Sequence, residues 1–221
     1  MERAFDAVEP REDPMQLAHH RRTGAFRGSA RDRSLGAVLV EAAFVTPVFM
    51  MMVLGIMEMG LAMNDNLALA HTVRAGTRVA SASGNDAYAD YGIIQAVRRE
   101  AAALPNTSII RVVVYRASRF GEEPPEACKN GTSLAPADAT APACNVYVPN
   151  QFDDVKSRWA CKSAESLDKY WCPTSRITSR SVGPNYVGVW MKVEHHWVTK
   201  LFGDTAILTD QSVIRLEPRT K

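Results

Sequence analysis

The feature that most constrains this chain is an apolar run from Ser34 to Met63, SLGAVLVEAAFVTPVFMMMVLGIMEMGLAM, preceded by arginines and carrying one early acid, Glu41. As a helix rising ~1.5 Å per residue, Ala37 to Met63 would reach about 40 Å, more than the ~30 Å hydrocarbon core of a bilayer. A core helix of a soluble domain shows polar residues at helical spacing. Between Ala42 and Met57 the only polar side chain is Thr46, so no solvated face can be drawn. The run predicts a transmembrane helix over 34–63. It is longer than the apolar region of a secretory signal, about 7 to 15 residues, and no small-residue cleavage site follows it. Pro47 would break a helix in water, but a membrane span tolerates it, with a kink.

The rest of the chain falls on one side of this span or the other. Residues 1–33 read as a disordered, basic cytoplasmic leader: the first twenty are polar and mixed in charge, with His19 and His20 adjacent in a tail. Arg21 to Arg33 then carries five arginines against one aspartate. Positive flanks stay in the cytoplasm, which orients the N-terminus inside and the C-terminal domain outside. The four cysteines, Cys128, Cys144, Cys161 and Cys172, all lie beyond the span and form no CxxC pair. They predict two disulfides in an oxidising compartment, with three connectivities open. A net charge of +2, with basic residues otherwise spread out, gives no reason to assign a nucleic-acid partner.

Beyond Met63 the pattern predicts an α+β ectodomain. Residues 64–118 read as a helical extension of the span up to Ser83-Gly84-Asn85, a second helix from Tyr88 to Leu104 ended by Pro105, and a strand from Ile109 to Tyr115. On the extension, Arg74 and Arg78 share a face, either solvated or available for a partner or packing. Glu58 is expected at the outer headgroup region, with an intersubunit contact open. Residues 119–185, rich in proline and holding all four cysteines, read as a loop-rich insertion. Trp159 and Tyr170-Trp171, beside cysteines, suggest a small local core in preference to an aromatic binding surface. Asn106-Thr107-Ser108 and Asn130-Gly131-Thr132 match glycosylation acceptors.

Residues 186–221 carry the C-terminal strands. Val187, Val189, Met191, Val193 and His195 alternate onto one face of Tyr186–Val198, and Thr205 to Leu216 follows the Gly203-Asp204 turn. His195 and His196, adjacent on a strand, point to opposite faces and are poorly placed to chelate one metal. The expected fold is thus a long transmembrane helix extending into a domain with a second helix, a three-stranded antiparallel sheet and a disulfide-bearing loop insertion. No GxSxG, phosphate-binding glycine loop or HExxH is present, and no cofactor or enzymatic role is assigned.

Three segments together resemble the TadE-like pilus assembly proteins of tight-adherence (Flp) systems. They are Gly36-Ala37-Val38-Leu39-Val40-Glu41-Ala42-Ala43-Phe44-Val45-Thr46-Pro47, then Arg74-Ala75-Gly76-Thr77-Arg78-Val79-Ala80, and finally Leu208-Thr209 with Val213-Ile214-Arg215-Leu216-Glu217-Pro218. The resemblance implies a minor pilin or pseudopilin, held as a single-pass protein in the bacterial inner membrane with a periplasmic domain, structural and not catalytic. It implies other pilin or pseudopilin subunits and the pilus assembly platform as partners, and a prepilin peptidase that cuts between Gly36 and Ala37. Glu41 would then meet the new amino terminus of a neighbouring subunit as a registration contact. The alternative for Glu41 is partial snorkelling to the headgroups. Alternatives for the whole chain are a single-pass adhesin or receptor, with residues 119–185 binding a ligand, or a pseudopilin of another type II or type IV secretion system. The match departs from the major Flp pilins at Ala42, where they commonly carry an aromatic residue.

Overall fold

The computed structural model describes residues 30–104 and 107–218, with side chains from Gly36 onward. The leader up to residue 29, with His19 and His20, lies outside the described residues, as do Pro105 and Asn106. The chain divides after Pro47 into two units, and the folded domain belongs to the second, from Val48 onward.

Helix α1 runs from Ala30 to Ser83, 54 residues with Pro47 inside it. It stops at Gly84, whose φ of 58° and amide bond to the Ala80 carbonyl form a left-handed C-terminal cap, at the expected breaker. Helix α2, Ala89–Glu100, buries Ile93, Ile94 and Val97, the predicted face, and passes into a 3-10 turn at Ala101–Ala103 that buries Leu104 behind it.

The sheet has four strands where the sequence suggested three. Strands β1 (Thr107–Ala117), β2 (Cys144–Tyr147), β3 (Tyr186–His196) and β4 (Thr205–Arg215) are all antiparallel, in the order β2-β1-β3-β4. The additional strand is β2, inside the segment read as loop-rich. Its four residues, Cys-Asn-Val-Tyr, are too few to show a period of two, and they sit between Pro142 and Pro149. What makes them a strand is pairing with β1, from Val112 opposite Tyr147 to Tyr115 opposite Cys144. Strands β1 and β3 pair along their lengths, with a register shift between Ile109 and Arg111.

The alternation predicted for β3 holds. Val187, Val189, Met191 and Val193 face a core that also takes Val112 and Val114 of β1, Leu69 and Val73 of α1, and Ile93, Ile94 and Val97 of α2. The opposite face carries Val113, Tyr115 and Trp190 and is covered by Cys128 from the short helix α3, Glu126–Lys129. Tyr115 lies flat across Gly188 of β3, where even a Cβ would come within 2.2 Å of the ring, so glycine is required there.

The insertion is compact. Two disulfides, Cys128–Cys144 and Cys161–Cys172, close it in short loops, which resolves the three connectivities. Trp159 and Trp171 are fully buried, but in the main core with Ile93, Val112 and Val189 where the sequence suggested a small local one, whereas Tyr170 is exposed. Trp159 packs edge-on to Tyr91 of α2 and against Tyr147 of β2, so the insertion lies over α2 and the β2 edge.

Candidate functional site

The candidate site is α1, because one helix carries both an exposed apolar segment and the seam on which the domain is built. From Val38 to Met57 its large apolar side chains stand exposed, Leu39 at 70% and Phe44 at 76%. The most apolar window of the helix is not covered by the protein at all, which separates it from the core helix of a soluble domain. It is long and apolar enough to cross a membrane and fits a single-pass anchor. Gly36 and Glu41 lie on this segment, both exposed, with Ala37 next to Gly36 and Pro47 one and a half turns beyond Glu41.

Further along, α1 becomes two-faced. Gly55, Glu58, Asp65, Leu69, Val73, Gly76 and Ala80 follow one another at steps of three, four or seven residues and form a single stripe toward the domain. Gly76 is the tightest contact. A Cβ there would stand 2.9 Å from Val97 Cγ2 and 3.4 Å from Val189 Cγ1, so glycine lets α1 approach α2 and β3 at once. Next to it Thr77 donates to Ser212 of β4, and Ser81 donates to the Arg215 carbonyl. In Arg74-Ala75-Gly76-Thr77-Arg78 the glycine and threonine therefore face in. The two arginines face out, exposed beside His71 and Glu100 and without an ion-pair partner among the described residues.

Sequence reasoning missed the two carboxylates of this stripe. Glu58 is buried, not spread into headgroups as expected: its carboxylate accepts the Val198 amide at 3.2 Å and the Thr199 amide, capping the turn between β3 and β4. Asp65, one heptad on, is buried against His195 Nδ1 at 2.7 Å. Each carboxylate thus fastens the end of the β3–β4 hairpin to the helix. The available signal was their seven-residue spacing in phase with Leu69, Val73 and Ala80, together with His195 on the inward face of its strand. His196 points away, to Ser108 on β1, as the strand alternation requires.

A second buried polar cluster ties the insertion to α2. Asp90 accepts from Arg176 Nη2 at 2.5 Å, from the Tyr147 hydroxyl at 2.6 Å and from Asn145 Nδ2 at 2.9 Å. Both members of the Asp90–Arg176 pair are wholly buried, and the guanidinium lies over the Trp171 ring at 4.3 Å. Burial, reinforced by the Asp90 charge, pushes the Tyr147 hydroxyl well above the ordinary tyrosine value, so it stays a donor. Nearby, Ala160 and Cys161 have φ of 79° and 54°, a left-handed pair of non-glycine residues. Their amides both point at the Asp168 carboxylate, at 2.8 and 2.9 Å, which offsets the strain.

A helix that carries both an exposed apolar stretch and a disulfide-bearing α+β domain fits a helix-anchored, single-pass architecture. Residues 36–78 of the chain match the family model described as TadE-like protein, so the recognition drawn from the sequence is shown over this segment. The matched range holds both the Gly36–Pro47 and the Arg74–Arg78 motifs; the C-terminal segment from Leu208 lies outside it. Neither a curated protein nor a solved structure matches the chain.

Proposed function

We propose that this chain is a membrane-anchored minor pilin or pseudopilin that acts in assembly or secretion of a tight-adherence pilus, as a structural subunit and not an enzyme. The observation that carries the reading is a coincidence of ranges: the TadE-like match over residues 36–78 covers both the exposed apolar segment of α1 and its docking stripe as far as Gly76. The anchor sits in the bacterial inner membrane with the arginine-rich leader in the cytoplasm and the domain in the periplasm, an orientation supported by the positive-inside rule and by two disulfides.

In this reading a prepilin peptidase cuts between Gly36 and Ala37, removing the basic leader and creating an amine at Ala37. Glu41 then lies about one turn into the mature helix. An unpaired carboxylate costs about 2.5–3.5 kcal/mol at the centre of a span on insertion scales and less near its end, and pairing with the Ala37 amine of an adjacent subunit removes much of that cost only in the correct register. The outward-facing Arg74 and Arg78 are offered to other pilus subunits or to the assembly platform.

The test is a chromosomal deletion in the native host complemented by the wild-type chain or by Glu41→Ala, with piliation scored by electron microscopy and the assembled chain weighed by mass spectrometry. Loss of pili in the deletion, weak complementation by Glu41→Ala and a mass beginning at Ala37 are expected. Unchanged piliation in the deletion refutes the assignment, and an intact leader refutes the cleavage.

A further inference from the structure

The turn between β3 and β4, Trp197–Gly203, presents Val198, Leu201 and Phe202 to the outside at 59%, 44% and 50% exposure. Such a cluster at a hairpin tip is unusual, since turns are ordinarily polar. Its place along α1 explains it. Leu201 Cδ2 and Phe202 Cζ would each lie 3.6 Å from a Cβ on Gly55, and Glu58 holds the backbone one turn further on. The tip therefore stands level with Val53 to Met57, inside an exposed apolar stretch of the helix that runs on through Met59 and Met63. Counting back from Gly55–Glu58 to Ala37 gives about 20 helical residues, or roughly 30 Å, which is one hydrocarbon thickness.

Most of the backbone amides of the turn are already paired. Backbone amides cannot enter an apolar zone unpaired. Here the Val198 and Thr199 amides donate to Glu58, Trp197 to the Asp204 carbonyl, Leu201 to Thr199 Oγ1 and Gly203 to the Lys200 carbonyl. Trp197 packs edge-on to His195 and at a tilt to Phe202, with ring centres 4.7 and 5.4 Å away, in the amphipathic setting favoured at membrane interfaces. Lys200, 70% exposed, extends from the same tip and pairs with Asp204 Oδ1 at 3.0 Å, an exposed ion pair that headgroup phosphate can compete for.

We infer that Trp197–Gly203 is a membrane foot that inserts into the boundary between headgroups and acyl chains of the leaflet from which α1 emerges. The inference rests on the single-pass anchor reading and goes beyond it by assigning the domain a second lipid contact. Two points of attachment on one rigid domain fix its rotation about the helix axis. The direction in which Arg74 and Arg78 face neighbouring subunits is then set by the bilayer.

The test uses the full chain in phosphatidylethanolamine–phosphatidylglycerol liposomes containing lipids brominated near the headgroup end of the acyl chain. Emission of the wild type minus that of Trp197→Phe isolates Trp197, because Trp159 and Trp171 are fully buried and Trp190 nearly so. Loss of the Trp197 component with brominated lipid is expected, together with its recovery in Leu201→Ser/Phe202→Ser and resistance of both proteins to alkaline carbonate extraction. A carbonate-resistant wild type whose Trp197 is quenched by aqueous iodide and not by brominated lipid overturns the foot and leaves the anchor standing. Protection from both quenchers with cross-linking through the turn would mean that a second copy covers it, which also overturns the proposal. Extraction of the wild type by carbonate removes the anchor, and the foot with it.

Discussion

Replacing Asp90 with alanine should be the most damaging single change in the domain. It removes the acceptor for Arg176 Nη2 and for the Tyr147 hydroxyl, and one of two acceptors for Asn145 Nδ2, which also reaches the Trp171 carbonyl. Arg176 has no exposed side-chain surface, and its Nε and Nη1 lack partners among the described residues, where Asp90 is its ion-pair partner. Breaking a buried pair from one side typically costs about 3–5 kcal/mol, because the remaining ion is left in a low-dielectric interior. The stranded Tyr147 hydroxyl adds about 1–3 kcal/mol. A total of roughly 4–8 kcal/mol is comparable with the whole stability of a domain, about 5–15 kcal/mol. The assay is urea unfolding of the full chain in detergent micelles with disulfides intact, followed by tryptophan emission, which reports here because Arg176 lies on the Trp171 ring. The companion variant Asp90→Ala/Arg176→Met removes both charges and should recover at least half of the loss. A single-variant cost below about 1 kcal/mol, or a double variant that is merely additive, would refute the compensation argument.

Two further changes probe the helix seam and the strained loop. Gly76→Val drives a branched side chain into Val97 and Val189, where even one methyl is too close; overpacking of this kind costs about 1–3 kcal/mol, outweighing the helix-propensity gain of only a few tenths of a kcal/mol on replacing glycine with β-branched valine. Gly60→Ala, which meets nothing within 4 Å, is the control and should not lose stability in the same denaturation assay. For Asp168, burial raises the carboxyl pKa above its ordinary 3.8 despite the opposing amide bonds from Cys161 and Ala160. The folded state then holds this proton more tightly than the unfolded state does. Its contribution is complete below the ordinary aspartate range and is lost as pH rises through the raised folded value. Asp168→Asn should flatten that part of the profile of melting temperature against pH, while losing about 1–3 kcal/mol at neutral pH because an amide cannot accept from both N–H groups. A slope unchanged by the substitution would refute the assignment of this titration to Asp168.

How far the sequence could be read depended on the length over which each signal repeats. The apolar run, the α2 face of Ile93, Ile94 and Val97, and the inward row Val187 to His195 each extend over several periods, and each element lies where the pattern put it. Strand β2 has four residues and no repeat, and it exists because β1 offers an edge and because Cys144 is tied to Cys128 on α3. Asp90 and Arg176 are 86 positions apart, and no local pattern joins them. Their meeting is a property of the folded insertion, as is the convergence of Ala160, Cys161 and Asp168.

Glu58 shows why even a legible segment can be partly misread. In a hydropathy window it is a lone acid near the end of an apolar run, and the cheapest place for such a group is the interface. The structure supplies a different solution: two backbone amides from a hairpin more than a hundred residues away satisfy the carboxylate on the protein's own side. The cost of an acid near the bilayer thereby becomes the means of docking β3 and β4 on α1, and Asp65 repeats the device two turns later with His195. Glu41 carries no such partner among the described residues and is exposed on the apolar segment. The same residue type on one helix thus divides by environment: Glu58 is satisfied within the subunit, while Glu41 remains available to a partner outside it. That contrast makes Glu41→Ala the informative variant for assembly and Glu58→Ala the informative one for folding. The first should spare the domain's unfolding midpoint, and the second should lower it; equal effects of both on stability would remove the distinction.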